Sequence, residues 1–176
     1  MRALLAVLLL LACCAAGWRS AGAPYRFVFP RDHGSHPAYH TEWWYYTGHL
    51  SSTDGRRYGF ELTIFRVGLA PGAPTPGPGE SRWRDGELFP AHFAVTDDTN
   101  GTFSFSERVA RPALGQAGAA RGGLDVHALD WYARGEHPLR LHAATPALGL
   151  DLTLTSRKLP AINGLRGISR KGSCAS

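Results

Sequence analysis

Four leucines near the end of the chain, Leu148, Leu150, Leu152 and Leu154, stand at every second position against Gly149, Asp151, Thr153 and Thr155. A period of two lines them up on one side of an extended strand but scatters them around a helix, so this stretch is a strand with one buried face. The same texture recurs at Tyr58, Phe60, Leu62 and Ile64, which alternate with Gly59, Glu61 and Thr63. Both sets are expected to face one interior, because a one-residue slip would turn every member to solvent. The aromatic, β-prone run 43–50 precedes the second set across Ser51, Ser52, Thr53, Asp54 and Gly55, which supply turn chemistry; the two runs form a hairpin. Residues 88–96 and 102–108 flank Asp97, Asp98, Thr99, Asn100 and Gly101, and there Asn100 and Gly101 favour positive φ in a second hairpin turn. Residues 124–133, 139–145 and 148–156 read as three further strands. Residues 69–86, crowded with Pro and Gly, and 111–123 read as loops; the former either overhangs a binding mouth or is a tolerated insertion. Short strands at near-regular spacing, with no amphipathic helix and no internal repeat, predict an all-β fold, an antiparallel barrel or sandwich.

Met1 and Arg2 precede an unbroken apolar run over residues 3–12, long enough for the core of a secretory signal and too short to cross a bilayer as a helix. Two endings fit. Leu10, Leu11, Ala12 and Cys13 look like a bacterial lipobox, in which cleavage leaves Cys13 to carry acyl chains as a lipid anchor; ordinary cleavage near Ala16 or Gly22 fits equally. The expected organisation is a signal peptide over 1–22, a tether and motif loop over 23–41, and a β domain over 42–176. Such a protein is exported and is periplasmic, envelope-anchored or secreted. About 150 residues remain, enough for one domain with a real core or for part of one. Only Cys174 lies outside the signal region, so no intramolecular disulfide forms and burial must stabilise the fold. The formal net charge of +5 does not imply a nucleic-acid partner, because the arginines are scattered and no basic run occurs.

Chemistry concentrates in Phe29, Pro30, Arg31, Asp32, His33, Gly34, Ser35, His36 and Pro37, followed by Glu42, Trp43, Trp44, Tyr45 and Tyr46. This stretch joins titratable groups to large aromatic surface. His33, His36 and His40 suggest a metal, but Gly34 and Pro37 break any helix that would gather them on one face, and no metal is expected. The plain alternative is a turn in which Asp32 caps backbone donors, with the tryptophans as core.

The segment 29–36, the run 42–45, the strand 59–66 with Phe60, Leu62, Thr63 and Phe65, the strand 89–93 with His92, the pair Asp130 and Trp131, and the closing Gly167, Ile168, Ser169, Arg170, Lys171 and Gly172 together resemble the AttH and carotenoid-hydratase family. The resemblance runs over nearly the whole chain after the tether. It implies a lipocalin-like β domain, incomplete in this chain because the family continues past the Ser-Arg-Lys-Gly segment into a second such domain. Members are often labelled predicted secreted hydrolases, and one branch adds water to the terminal double bonds of acyclic carotenoids without a cofactor.

The resemblance therefore implies a small hydrophobic ligand, an isoprenoid or a lipid, and no cofactor. Hydrating an alkene needs an acid to protonate carbon, an environment that tolerates the cation, and a positioned water. Asp32 or Glu42 is the expected proton donor, His33 or His36 orients water, and Trp43, Trp44 and Tyr45, with His92, form the ligand wall. The competing expectation is a lipocalin-like carrier without turnover, in which the same polar groups are structural. Hydrolysis ranks last, because neither a Gly-x-Ser-x-Gly elbow nor a zinc-peptidase helix is present.

Overall fold

The structure, a computed structural model, describes residues 17–22, 25–71, 85–164 and 166–167. The expected lipid anchor Cys13, most of the Pro/Gly loop, residues 168–172 of the closing motif and Cys174 lie outside the described residues. Among the described residues nine strands follow a 3-10 turn at Arg31–His33: β1(Thr41–Ser51), β2(Arg57–Gly68), β3(Glu87–Asp97), β4(Thr102–Ala110), β5(Ala117–Ala119), β6(Asp125–Ala128), β7(Trp131–Arg134), β8(Leu139–Ala144) and β9(Gly149–Leu154). They form two antiparallel meanders, β1-β2-β3-β4 and β5-β6-β7-β8-β9. Among the described residues no strand pairing joins the two sheets, so the arrangement is sandwich-like and not a closed barrel.

The alternating side chains decide how the sheets meet. Phe60, Leu62 and Ile64 of β2 and Phe89, Ala91 and Phe93 of β3 are buried against Val126, Ala128, Trp131, Ala133, Leu141, Ala143 and Leu150 of the second sheet. Leu148, Leu152 and Leu154 pack on that core while partly exposed, so the leucine row does line the interior. Phe93 and Trp131 meet edge to face across the two sheets, with ring centroids 5.7 Å apart. Arg108 of β4 lays its guanidinium 3.7 Å from the Trp131 ring and pairs with Asp130, while the Trp131 indole N–H donates to the Ala144 carbonyl at 2.8 Å.

Four details differ from expectation. The run 124–133 is two strands, because Leu129 takes a left-handed φ of 57° and turns the chain back between β6 and β7. The loop 111–123 contains β5, whose three small residues carry almost no strand signal. In the β3–β4 turn only Gly101 takes positive φ; the turn is held instead by Asp97, whose carboxylate accepts the backbone N–H groups of Thr99 and Asn100. Trp18 and Arg19, which the expected boundaries place in the signal peptide, dock on the sheet: Trp18 occupies the space a side chain at Gly68 would need, and the Arg19 N–H donates to the Ala38 carbonyl.

Candidate functional site

Antiparallel register puts Glu42 of β1 opposite Arg66 of β2, in phase with the inward Trp44 and Ile64. Both charges therefore point to the core side at one end of the first sheet. Arg66 is 1% exposed, and its cost of burial is offset by complete pairing. Its Nε and Nη2 donate to Glu42 Oε1 at 2.9 and 2.8 Å, Nη1 donates to Glu87 Oε1 at 2.9 Å, and Nη2 also reaches the carbonyls of His36 and Tyr39. Glu42 then accepts the His36 backbone N–H at 2.6 and 2.7 Å, and its Oε2 lies 3.3 Å from His36 Nδ1. These bonds fold the 36–40 segment over the end of the sheet.

The network continues through His36, whose Nε2 lies 3.5 Å from Asp32 Oδ1. Asp32 is buried and saturated: it accepts Arg31 Nε at 2.7 Å and Nη2 at 3.0 Å, the Val28 N–H at 2.6 Å and the Tyr25 hydroxyl at 3.1 Å. The Arg31 guanidinium above all, and then the Val28 N–H, Tyr25 and His36, hold the Asp32 carboxyl well below the ordinary carboxylate range despite its burial. A group held ionised accepts protons poorly and donates none, which is the opposite of what a general acid requires.

The remaining expected site residues are divided by strand geometry. His33 packs its ring on Phe29 with centroids 4.4 Å apart, and its carbonyl accepts the Trp44 indole N–H at 2.9 Å. Trp44 points inward, whereas its neighbours Trp43 and Tyr45 lie on the outer face of the first sheet, 62% and 53% exposed. His92 is also on that outer face, between Phe65 and Phe105. Trp43, Trp44, Tyr45 and His92 thus do not share one wall, because successive side chains of a strand point to opposite faces.

Arg66 and Glu87 are the partners that sequence reasoning missed. The signal was present in Arg66, which occupies the next position in the apolar phase of Tyr58, Phe60, Leu62 and Ile64. A cation in a buried phase needs a buried acid, and Glu42 is the acid in the matching phase of β1.

Two hollows adjoin the network. An open groove of about 780 Å³ runs between residues 25–29 and residues 159–162, lined by Phe27, Phe29, Leu159, Pro160 and Ile162 together with Arg26 and Arg166. A cleft of about 250 Å³ is lined by Arg19, Arg31, Arg121, Asp32 and His36, and Tyr25 forms a wall of both hollows. Loop 120–123 reaches the cleft because Gly34 has no side chain: a Cβ there would lie 2.6 Å from the Ala120 carbonyl oxygen and 2.9 Å from the Arg121 carbonyl carbon. The Ser35 N–H and hydroxyl then donate to Ala120 and Ala119. Gly34 has an ordinary extended φ of −81°, so Gly34→Ala tests this contact and not backbone strain. The substitution is expected to cost about 1–3 kcal/mol in urea unfolding; unchanged stability would show that the loop moves aside freely.

Similar structures include the crystal structure of a Nitrosomonas europaea protein assigned to AttH. The likeness has a TM-score of 0.71 and 28% sequence identity, covering 90% of this chain and 46% of that one. The chain therefore spans less than half the length of that relative. No curated protein matches. A family model described as AttH-like matches residues 20–176, and on that match the chain belongs to the AttH-like family.

Proposed function

We propose that the protein is an exported, lipocalin-like binder of a small hydrophobic ligand of isoprenoid or lipid type, held in the groove beside Tyr25. The observation that carries this reading is the groove itself, an open hollow of about 780 Å³ in which Phe29, Leu159 and Ile162 present apolar surface to solvent. Phe27 and Phe29 stack with centroids 6.0 Å apart and supply flat apolar surface without needing polar partners. Titrating the full chain with a fluorescent neutral polyene is expected to give saturable binding that Phe27→Ala weakens by about tenfold, the loss of one well-buried aromatic contact. Absence of saturable binding would remove the reading.

Hydration of an isoprenoid double bond, with Asp32 or Glu42 as proton donor and His33 or His36 orienting water, is the competing reading, drawn from the family branch that performs it. The saturation of Asp32 by Arg31, Tyr25 and the Val28 N–H and the full pairing of Glu42 favour binding without turnover. On the binding reading, Asp32→Asn and Glu42→Gln lower the melting temperature and leave affinity for the neutral polyene intact. Conversion of an acyclic carotenoid by the full-length protein, falling a hundredfold or so in either variant, would install catalysis in its place.

Export is part of this proposal, with Cys13 as the anchor. Mature protein made in a Gram-negative host is expected to partition into detergent, and Cys13→Ser to return it to the aqueous phase. A soluble mature form beginning well past Cys14 would assign ordinary cleavage.

A further inference from the structure

We propose that the ligand is an anionic amphiphile, its carboxylate or phosphate-type end seated between Arg19 and Arg121 in the cleft and its chain lying along the apolar groove. This rests on the groove being the ligand site and on processing at Cys13, which keeps Arg19 in the mature chain. Tyr25 lines both hollows, which sets the basic cleft directly beside the apolar groove.

Charge is the main argument. The combined walls contain Arg19, Arg26, Arg31, Arg121 and Arg166 but a single carboxylate, Asp32. That is a local surplus of four positive charges in a chain whose formal net charge is +5. Basic groups gathered on concave, partly apolar walls focus their field and raise the local concentration of anions. Asp32 is already subtracted in that surplus, and its charge falls on Arg31, whose Nε and Nη2 donate to it, so Arg19 and Arg121 carry the cleft's uncompensated charge. Among the described residues no carboxylate pairs with Arg19 or Arg121.

The geometry adds preorganisation. Arg19 lies over the Tyr39 ring, 5.9 Å from its centroid, which orients the guanidinium and leaves its N–H donors unused by the ring. Arg121 is brought to the cleft by the contacts of Gly34 and Ser35 with the 119–123 backbone. A guanidinium fork matches paired anionic oxygens, and a neutral hydrocarbon would make no use of it.

The test compares a fluorescent polyene fatty acid with its methyl ester, both titrated into the full chain. The acid is expected to bind about tenfold or more tightly than the ester. That preference should shrink toward unity near 1 M salt and in the Arg19→Gln/Arg121→Gln variant, with the Arg→Lys pair retaining much of it. Both positions are exposed, and melting curves will report whether the variants stay folded. Equal affinity of acid and ester for the parent protein overturns the anionic head group while leaving the groove reading in place. Failure of both probes removes the groove reading and this inference with it. A second arm uses phosphatidylcholine vesicles with and without phosphatidylglycerol. Uptake of monomeric acid without vesicles supports the cleft; sedimentation with anionic vesicles alone, and no uptake of the acid, would overturn it in favour of a membrane surface.

Discussion

Arg66→Met is expected to destabilise the fold by about 3–5 kcal/mol, the usual cost of removing one partner from a buried ion pair. Methionine nearly fills the space, so the loss is electrostatic and not a cavity. The substitution leaves Glu42 with a 12% exposed side chain and no cation, and it strips the His36 and Tyr39 carbonyls of their donor. Glu87, at 32% exposure, retains access to water and contributes less. The double variant Arg66→Met/Glu42→Gln is expected to recover part of the loss, since a neutral amide tolerates burial better than an unpaired carboxylate. Urea unfolding of the two variants measures both quantities. A loss below about 1 kcal/mol in the single variant would mean that water reaches Glu42 once Arg66 is gone.

The second large effect is expected at Trp131, which is fully buried between the sheets. Trp131→Ala should cost about 3–5 kcal/mol by leaving a cavity beside Phe93. It also removes the surface on which Arg108 stacks and the indole N–H that holds the Ala144 carbonyl. Trp131→Phe keeps most of the apolar volume and loses the hydrogen bond, so a smaller cost of about 1–2 kcal/mol is expected. If the alanine variant unfolds in two separate transitions, the sheets are coupled mainly through this one side chain. A single transition at lower urea is the outcome expected for a sandwich with a continuous core.

These two residues mark what could be read in advance and what could not. The period of two at Leu148–Leu154 and at Tyr58–Ile64, with the turn chemistry at Ser52–Gly55 and Asp97–Gly101, determined the strands, their antiparallel sense and most of the core. Those signals are local: a side chain's face follows from its neighbours two residues away. The inward phase of Arg66 and Glu42 was legible for the same reason, although the pairing of the two phases required the register of β1 on β2.

Tertiary structure alone decided where the expected site residues went. Asp32, His36 and Glu42 came together over one end of the first sheet, without His33 or Trp43, through a saturated network anchored on a strand residue, Arg66. Trp43, Trp44 and Tyr45, adjacent in sequence, were separated by the pleat. The turn at Leu129 and the strand β5 depended on packing against neighbouring strands, which no local propensity reports. Arg19 and Arg121 lie about a hundred positions apart and meet at one cleft because Gly34 lets a distant loop approach the backbone. Local periodicity is a property of consecutive residues and is written in the sequence. The concentration of charge at a site is a property of long-range closure, and only the folded chain establishes it.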